Sequence, residues 1–205
     1  MDTLLDFWAA YGSTVVFAMI NAFFALSTYA VLSTGVLSFT TVVFAAVGGF
    51  LAAQMVGHLQ ISIHLAFLFA ALGGGLAAAI VAVAFLKLDS HWMALASLAL
   101  VLITRVVALN APALTGGVNG LVVPLRVDPL EVAILLAVAT FAFYRLHNSW
   151  YGLASRAVRE DPAVASTMGI APRRVQFIAF VISGVVGGIG GAALAFTLQF
   201  LSPET

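Results

Sequence analysis

Tyr151–Arg174 reads YGLASRAVREDPAVASTMGIAPRR, and here an otherwise lipid-compatible sequence turns abruptly polar. The stretch holds Arg156, Arg159, Arg173 and Arg174, four of the chain's eight basic residues, together with Glu160 and Asp161. Outward from it in both directions run long apolar segments. Charged residues make up 8% of the chain and hydrophobic residues 63%, whereas a soluble domain carries about 25% charged residues. At a mean hydropathy of +1.14, one globular core cannot hide so much apolar surface, and the chain belongs in a bilayer. A spanning helix needs about 20 apolar residues, and the 205 residues hold six such runs. The runs are long and lack two-residue alternation, which excludes an outer-membrane barrel. The expected fold class is therefore all-α, a polytopic transmembrane bundle of about six spans.

The spans fall near residues 14–33, 37–56, 63–86, 91–109, 130–145 and 175–196. Short loops rich in Lys and Arg stay in the cytoplasm. Six spans put Lys87, Arg145, Arg156, Arg159, Arg173 and Arg174 on one side and leave Arg105 and Arg126 elsewhere. The 87–90 turn and the 146–174 loop are then inside, and both termini are outside. Trp8, Tyr11, Trp92, Trp150 and Tyr151 lie near span ends, where aromatic rings favour the interface. The opening MDTLLDFW has acids and no basic residue, so it does not read as a cleavable signal peptide. The first span is expected to direct insertion. The outer connector 110–129, NAPALTGGVNGLVVPLRVDP, contains Gly116, Gly117, Asn119 and Gly120, which suit positive φ, and prolines that forbid a continuous helix. It is expected to cover the mouth of a pathway, to meet an external partner, or to fold simply as a surface loop.

In span six, Gly184/Gly188 and Gly187/Gly191 have GxxxG spacing and share a face. Absent side chains let helix backbones approach closely, so these glycines are expected to pack helices within the chain ahead of between subunits. Polar groups inside spans are few. Asn21, Ser38, Thr40, Thr41, Thr104 and Arg105 are candidates to line a translocation path, although a hydroxyl or amide in lipid ordinarily bonds a neighbouring helix. Arg105 lies near the outer end of span four, where a charge is costly. It is expected to snorkel outward or to pair with Asp128 or Glu131.

Several chemistries are excluded. His58, His64, His91 and His147 are scattered near span ends without metal-site spacing. The absence of cysteine removes disulfides and thiolate metal sites. There is no Ser-His-Asp signature and no acidic pair suited to acid–base work, so no catalytic residue and no metal is expected. Zero net charge suggests no nucleic-acid partner. No G-x-x-x-x-G-K-[ST] loop occurs, so pumping would be powered by another polypeptide or by an ion gradient. A gradient-driven carrier often holds intramembrane acids, and the span interiors here contain none.

The polar stretch itself reads as a device. Asp161 followed by Pro162 is a helix start, an N-cap and a proline at the first position. Gly169 is a natural residue to end that helix in the left-handed region, and Ile170 suits the apolar contact that follows such a cap. A helix of about two turns is therefore expected between Asp161 and Gly169. Val164 and Met168, four apart, make a small apolar knob on it. Arg156, Arg159 and Glu160 precede it on another helix, and Pro172 opens span six.

The segment Gly152-x-x-x-Arg156-Ala157-x-Arg159-Glu160-Asp161-x-x-x-Ala165-x-x-x-Gly169-Ile170 resembles the EAA-type coupling loop of ABC importer permeases. It is most similar to that of the branched-chain amino acid permease family, M-type subunit. Ile20–Ala22 with Ala25–Ser27, Gly35–Phe39, Leu102–Asn110 followed by Leu114–Gly120, and Phe200–Glu204 are similar to further family motifs in the same order. The resemblance covers nearly the whole chain. It implies a single permease domain over 1–205, with both termini periplasmic and a cytoplasmic coupling loop at 147–174. It implies a multi-pass subunit of the bacterial inner membrane moving branched-chain or related amino acids, and no enzyme. Implied partners are membrane lipid, a sister permease, two cytoplasmic ATPase subunits that hold ATP and Mg, and a periplasmic binding protein. Arg156, Arg159, Glu160, Asp161, Pro162, Val164, Met168 and Gly169 would meet the ATPase. This chain would bind no cofactor itself.

Two features depart from the family pattern. Thr40 and Thr41, or their neighbours, stand where the family has Gly-His, which touches the substrate assignment. Family members also continue beyond the point matching Thr205, which implies a fragment or an incomplete sequence. The alternatives are a permease for urea, short amides or another small solute, a gradient-driven secondary carrier, and a membrane scaffold that transports nothing.

Overall fold

The structure, a computed structural model, describes residues 2–88 and 90–202, with side chains from residue 11 onward except at 90 and 91. Helices α1 (Asp2–Leu32), α2 (Thr41–Leu59), α3 (Ile63–Phe85) and α4 (Ser90–Asn110) follow one another. A short α5 (Pro112–Thr115) and a 3-10 turn lead to α6 (Pro129–His147), α7 (Trp150–Glu160), α8 (Pro162–Thr167) and α9 (Pro172–Leu198). Among the described residues, six helices are long and apolar enough to cross a membrane: Tyr11–Leu32 of α1, α2, α3, Trp92–Asn110 of α4, α6 and α9. The fold is an all-α polytopic bundle. The side chains of Trp8 and His91 are not among those described, and the Pro203 and Glu204 part of the last motif lies outside the described residues.

The bundle is built around α9. Most of its apolar window is buried, 61% against 17% for α4 and 11% for α6, so α9 is the centre and those two are peripheral. Its composition allows this. A Cβ on Gly184 would overlap the Gly74 carbonyl of α3, and one on Gly191 would overlap the Ala45 carbonyl of α2. Gly188 lies against Ala70 and Gly48, and Gly187 against Ser27 and Phe44. The stripe of small residues thus meets three helices of the same chain. Phe23, Phe67 and Phe196 fill one end of the interior around it, with the Phe67 and Phe196 rings edge to face at 5.3 Å between centroids.

Two local outcomes differ from the pattern of hydropathy. The second crossing helix starts at Thr41 rather than near Leu37. Gly35 takes φ +81°, which interrupts the helical course, and residues 36–40 then run without helix until Thr40. In the 110–129 connector, strand β1 (Leu121–Val122) pairs antiparallel with β2 (Phe200–Leu201) beyond α9. Gln54 of α2 adds a clamp, its Nε2 donating to the Leu114 carbonyl at 2.8 Å. Bonds from partners remote in sequence thereby hold this connector against the bundle.

Candidate functional site

Two features stand out, a projecting two-helix unit at one end of the bundle and a large cavity within it. The unit begins at α7, which buries Gly152, Ala154, Ser155 and Val158 and exposes Arg156, Arg159 and Glu160. Arg156 ties the α6–α7 corner, its Nη2 donating to the His147 carbonyl of α6 at 3.4 Å. Tyr151 ties α7 to α9, its hydroxyl donating to the Val175 carbonyl at 3.2 Å. Burial pushes the Tyr151 hydroxyl pKa from 10 up to about 12, because the phenolate would lose its hydration.

Asp161 closes α7 and opens α8. Its Oδ1 accepts from Ala163 N at 2.7 Å and Val164 N at 3.2 Å, which satisfies two amides that a helix start leaves without partners. At the other end, Ile170 N donates to the Ala165 carbonyl at 3.1 Å and Gly169 N to the Ser166 carbonyl at 3.1 Å, with Gly169 at φ +81°. This is the paired-bond stop that glycine permits. Ala165 is the only residue of α8 that is buried, and it sits with Ala154, Val158 and Val175 in a small core. Val164 and Met168 point away, 54% and 74% exposed. So Arg156, Arg159, Glu160, Asp161, Pro162, Val164, Met168 and Gly169 form one unit around one knob.

The cavity, about 560 Å³, lies among α1, α2, α4 and α9. Its lining runs from Ser38 and Phe39, just before α2, to Leu201 and Ser202, just after α9. Phe24, Phe50, Val101 and Leu194 make much of the wall apolar, while Ser38, Thr41, Thr104 and Arg105 bring polar groups to it. Thr28 and Ser202 also line it, and sequence reasoning did not single them out for that role. Period-3.6 spacing hints at Thr28, one turn from Phe24, but nothing local marks Ser202.

Two path candidates lie elsewhere. Asn21 is exposed and its Nδ2 donates to the Phe17 carbonyl of its own helix at 2.9 Å. Thr40 is buried, and its Oγ1 is 2.9 Å from Ser38 Oγ, an arrangement that shapes the start of α2. Asp128 caps α6, accepting from Leu130 N at 3.0 Å. A buried hydroxyl cluster joins α1, α2 and α9 beside the cavity: Ser27 Oγ donates to the Ser183 carbonyl at 2.8 Å, and Thr28 Oγ1 lies 3.1 Å from Thr41 Oγ1. No grouping of three His, Cys, Asp or Glu suited to a metal occurs among the described residues.

Residues 11–205 match a family described as branched-chain amino acid transport system / permease component. The high-affinity branched-chain amino acid transport system permease protein LivM of Escherichia coli is 30% identical over 58% of this chain and 36% of its own length. The guanosine ABC transporter permease protein NupQ of Bacillus subtilis is 37% identical over 32% of this chain and 20% of its own. The nucleoside ABC transporter permease protein NupC of Lactococcus lactis is 39% identical over 30% and 20%. The chain thus spans about a third of the length of LivM, at 36%. No solved structure matches.

Proposed function

The chain belongs to the branched-chain amino acid transport system / permease component family, and from that premise we propose that it is a translocation subunit of an ABC importer. The observation that carries this reading is α8, capped at both ends and exposing Val164 and Met168 on a bundle that belongs to this family. A short rigid helix standing on Ala165 suits transmission of force from a partner, because its own caps hold its shape. In this reading the α7–α8 end is cytoplasmic and meets an ATPase subunit that binds ATP and Mg. The full assembly holds a sister permease, two ATPases and a periplasmic binding protein in a bacterial inner membrane.

The cavity is the proposed path. Its apolar wall fits the body of a small aliphatic solute, and Arg105 with the hydroxyls of Ser38, Thr41 and Thr104 fits the polar end. Branched-chain or related amino acids are the favoured solutes, in line with the family and with the LivM relative. Nucleosides are the second reading, favoured by the similarity to NupQ and NupC. The experiment is co-purification of the chain with its ATPase partners, comparing wild type with a variant lacking Pro162–Met168. Retention by wild type and loss in the variant supports the coupling role. Retention by neither removes it. Uptake into vesicles that follows an ion gradient without ATP would replace the whole reading with a secondary carrier.

A further inference from the structure

Between the projecting unit and the cavity lies a six-residue segment, Gly35–Thr40, that touches both. At its start, a Cβ on Gly35 would lie 3.2 Å from Arg159 Cα and 3.4 Å from the Arg159 carbonyl oxygen. This residue therefore rests directly on the backbone of α7. Gly35 also holds φ +81°, a region that a side chain resists. Gly169 has the same φ but nothing within 4 Å of its Cβ position. Gly35 alone of the two combines a turn with a close contact. At the other end of the segment, Ser38 and Phe39 line the cavity. Phe39 N donates to Ser97 Oγ of α4 at 3.0 Å, and Ser38 and Thr40 bond each other's side chains. Val36 and Thr40 are buried to 1% exposure, which pins the segment between these two attachments.

We propose that Gly35 is a positioning residue, seating the Gly35–Thr40 segment on α7 so that displacement of the α7–α8 unit shifts Ser38 and Phe39 at the cavity wall. The proposal rests on the coupling role given above to α8. Physically it needs a stiff unit, a close contact and a short lever. The core of Ala154, Val158, Ala165 and Val175 makes α7, α8 and the first turn of α9 one body. Backbone-to-backbone contact at Gly35 transmits displacement without the slack of a flexible side chain. Two residues, Val36 and Leu37, then separate that contact from Ser38. The same shift reaches α4 through the Phe39–Ser97 bond, and α4 carries Thr104 and Arg105 on the far wall.

The test uses the assembled transporter in proteoliposomes. Gly35→Asn tolerates the left-handed turn better than other side chains, yet it still places a Cβ against Arg159. Gly57→Ala, where a Cβ meets nothing within 4 Å, is the control. The chain has no cysteine, so Ser38→Cys in each background reports the segment through its labelling by a water-soluble thiol reagent, with and without ATP. The expected result for Gly35→Asn is retained ATPase association and retained hydrolysis. ATP-dependent labelling at position 38 is lost, and uptake falls by about 5- to 150-fold, the range of an ordinary coupling free energy. Gly57→Ala keeps both. Normal uptake with an unchanged ATP response of the label in Gly35→Asn overturns the proposal. Loss of ATPase association in Gly35→Asn alone overturns it too, because Gly35 then serves assembly. If wild type itself neither holds the ATPase nor responds to ATP, the coupling reading falls first and this proposal with it.

Discussion

One added methyl group has opposite consequences at Gly191 and at Gly57. At Gly191 a Cβ would overlap the Ala45 carbonyl, and rigid backbone stands on both sides. Gly191→Ala is expected to destabilise the bundle by about 1–3 kcal/mol, the usual cost of overpacking. Gly57 is exposed and a Cβ there meets nothing, so Gly57→Ala is expected to stabilise α2 by up to about 1 kcal/mol. Thermal unfolding in detergent checks both, and a loss at Gly57 or none at Gly191 would contradict the packing. Gly169 is a third kind, with φ +81° and empty space around it. Gly169→Val is expected to insert normally and to lose ATP-driven uptake, through strain of about 1–2 kcal/mol. Unchanged uptake would remove the cap from the mechanism. The spacing of the glycines was visible in the sequence. Which backbone each one admits was not, because a glycine has no chemistry that names its neighbour.

At the scale of elements, α8 depends on its cap. Asp161→Ala is expected to weaken the helix by about 1 kcal/mol, the typical loss for an N-cap, whereas Asp161→Asn keeps an accepting oxygen. Faster amide exchange at Ala163 and Val164 in the Ala variant, and not in the Asn variant, is the check. The tie from α7 to α9 has a pH signature. The folded Tyr151 hydroxyl titrates at about 12 rather than 10. The unfolded chain therefore loses that proton first as pH rises. The Tyr151 contribution is complete below pH 10 and is lost between about 10 and 12. Tyr151→Phe should flatten this part of the alkaline unfolding curve and leave the curve near neutrality without a new slope. An identical alkaline profile in the variant would show that the buried hydroxyl does not titrate as described. Both ends of α8 were legible, since Asp161-Pro162 and Gly169-Ile170 act through bonds to residues within a turn. The start of α2 was misplaced by four residues, because hydropathy continues through Leu37 and Phe39 and does not register the turn at Gly35, whose φ of +81° interrupts the helical course.

At the scale of the whole molecule the cavity is the feature to probe. With no native cysteine, Thr104→Cys and Asn21→Cys report two different surfaces. A transported solute is expected to slow thiol labelling at position 104, on the cavity wall, and to leave position 21 unaffected. Equal protection, or none at 104, would move the path elsewhere. A branched-chain amino acid and a nucleoside tried in turn would also distinguish the two substrate readings.

The sequence by itself determined that this chain is a helical bundle with six membrane-length spans, and where its polar two-helix unit begins and ends. Those properties depend on the length of apolar runs and on side chains acting within one turn, so each stretch carries its own answer. Only the tertiary structure decided that α9 is central and α4 and α6 peripheral. Lipid and a neighbouring helix are equally apolar, and hydropathy cannot tell which of them a Leu or Ala will face. Tertiary contact also decided that Leu121–Val122 pairs with Phe200–Leu201, and that Ser38, Thr104 and Ser202 share one cavity. These residues are far apart along the chain, and only the packing of α2, α4 and α9 against one another brings them together.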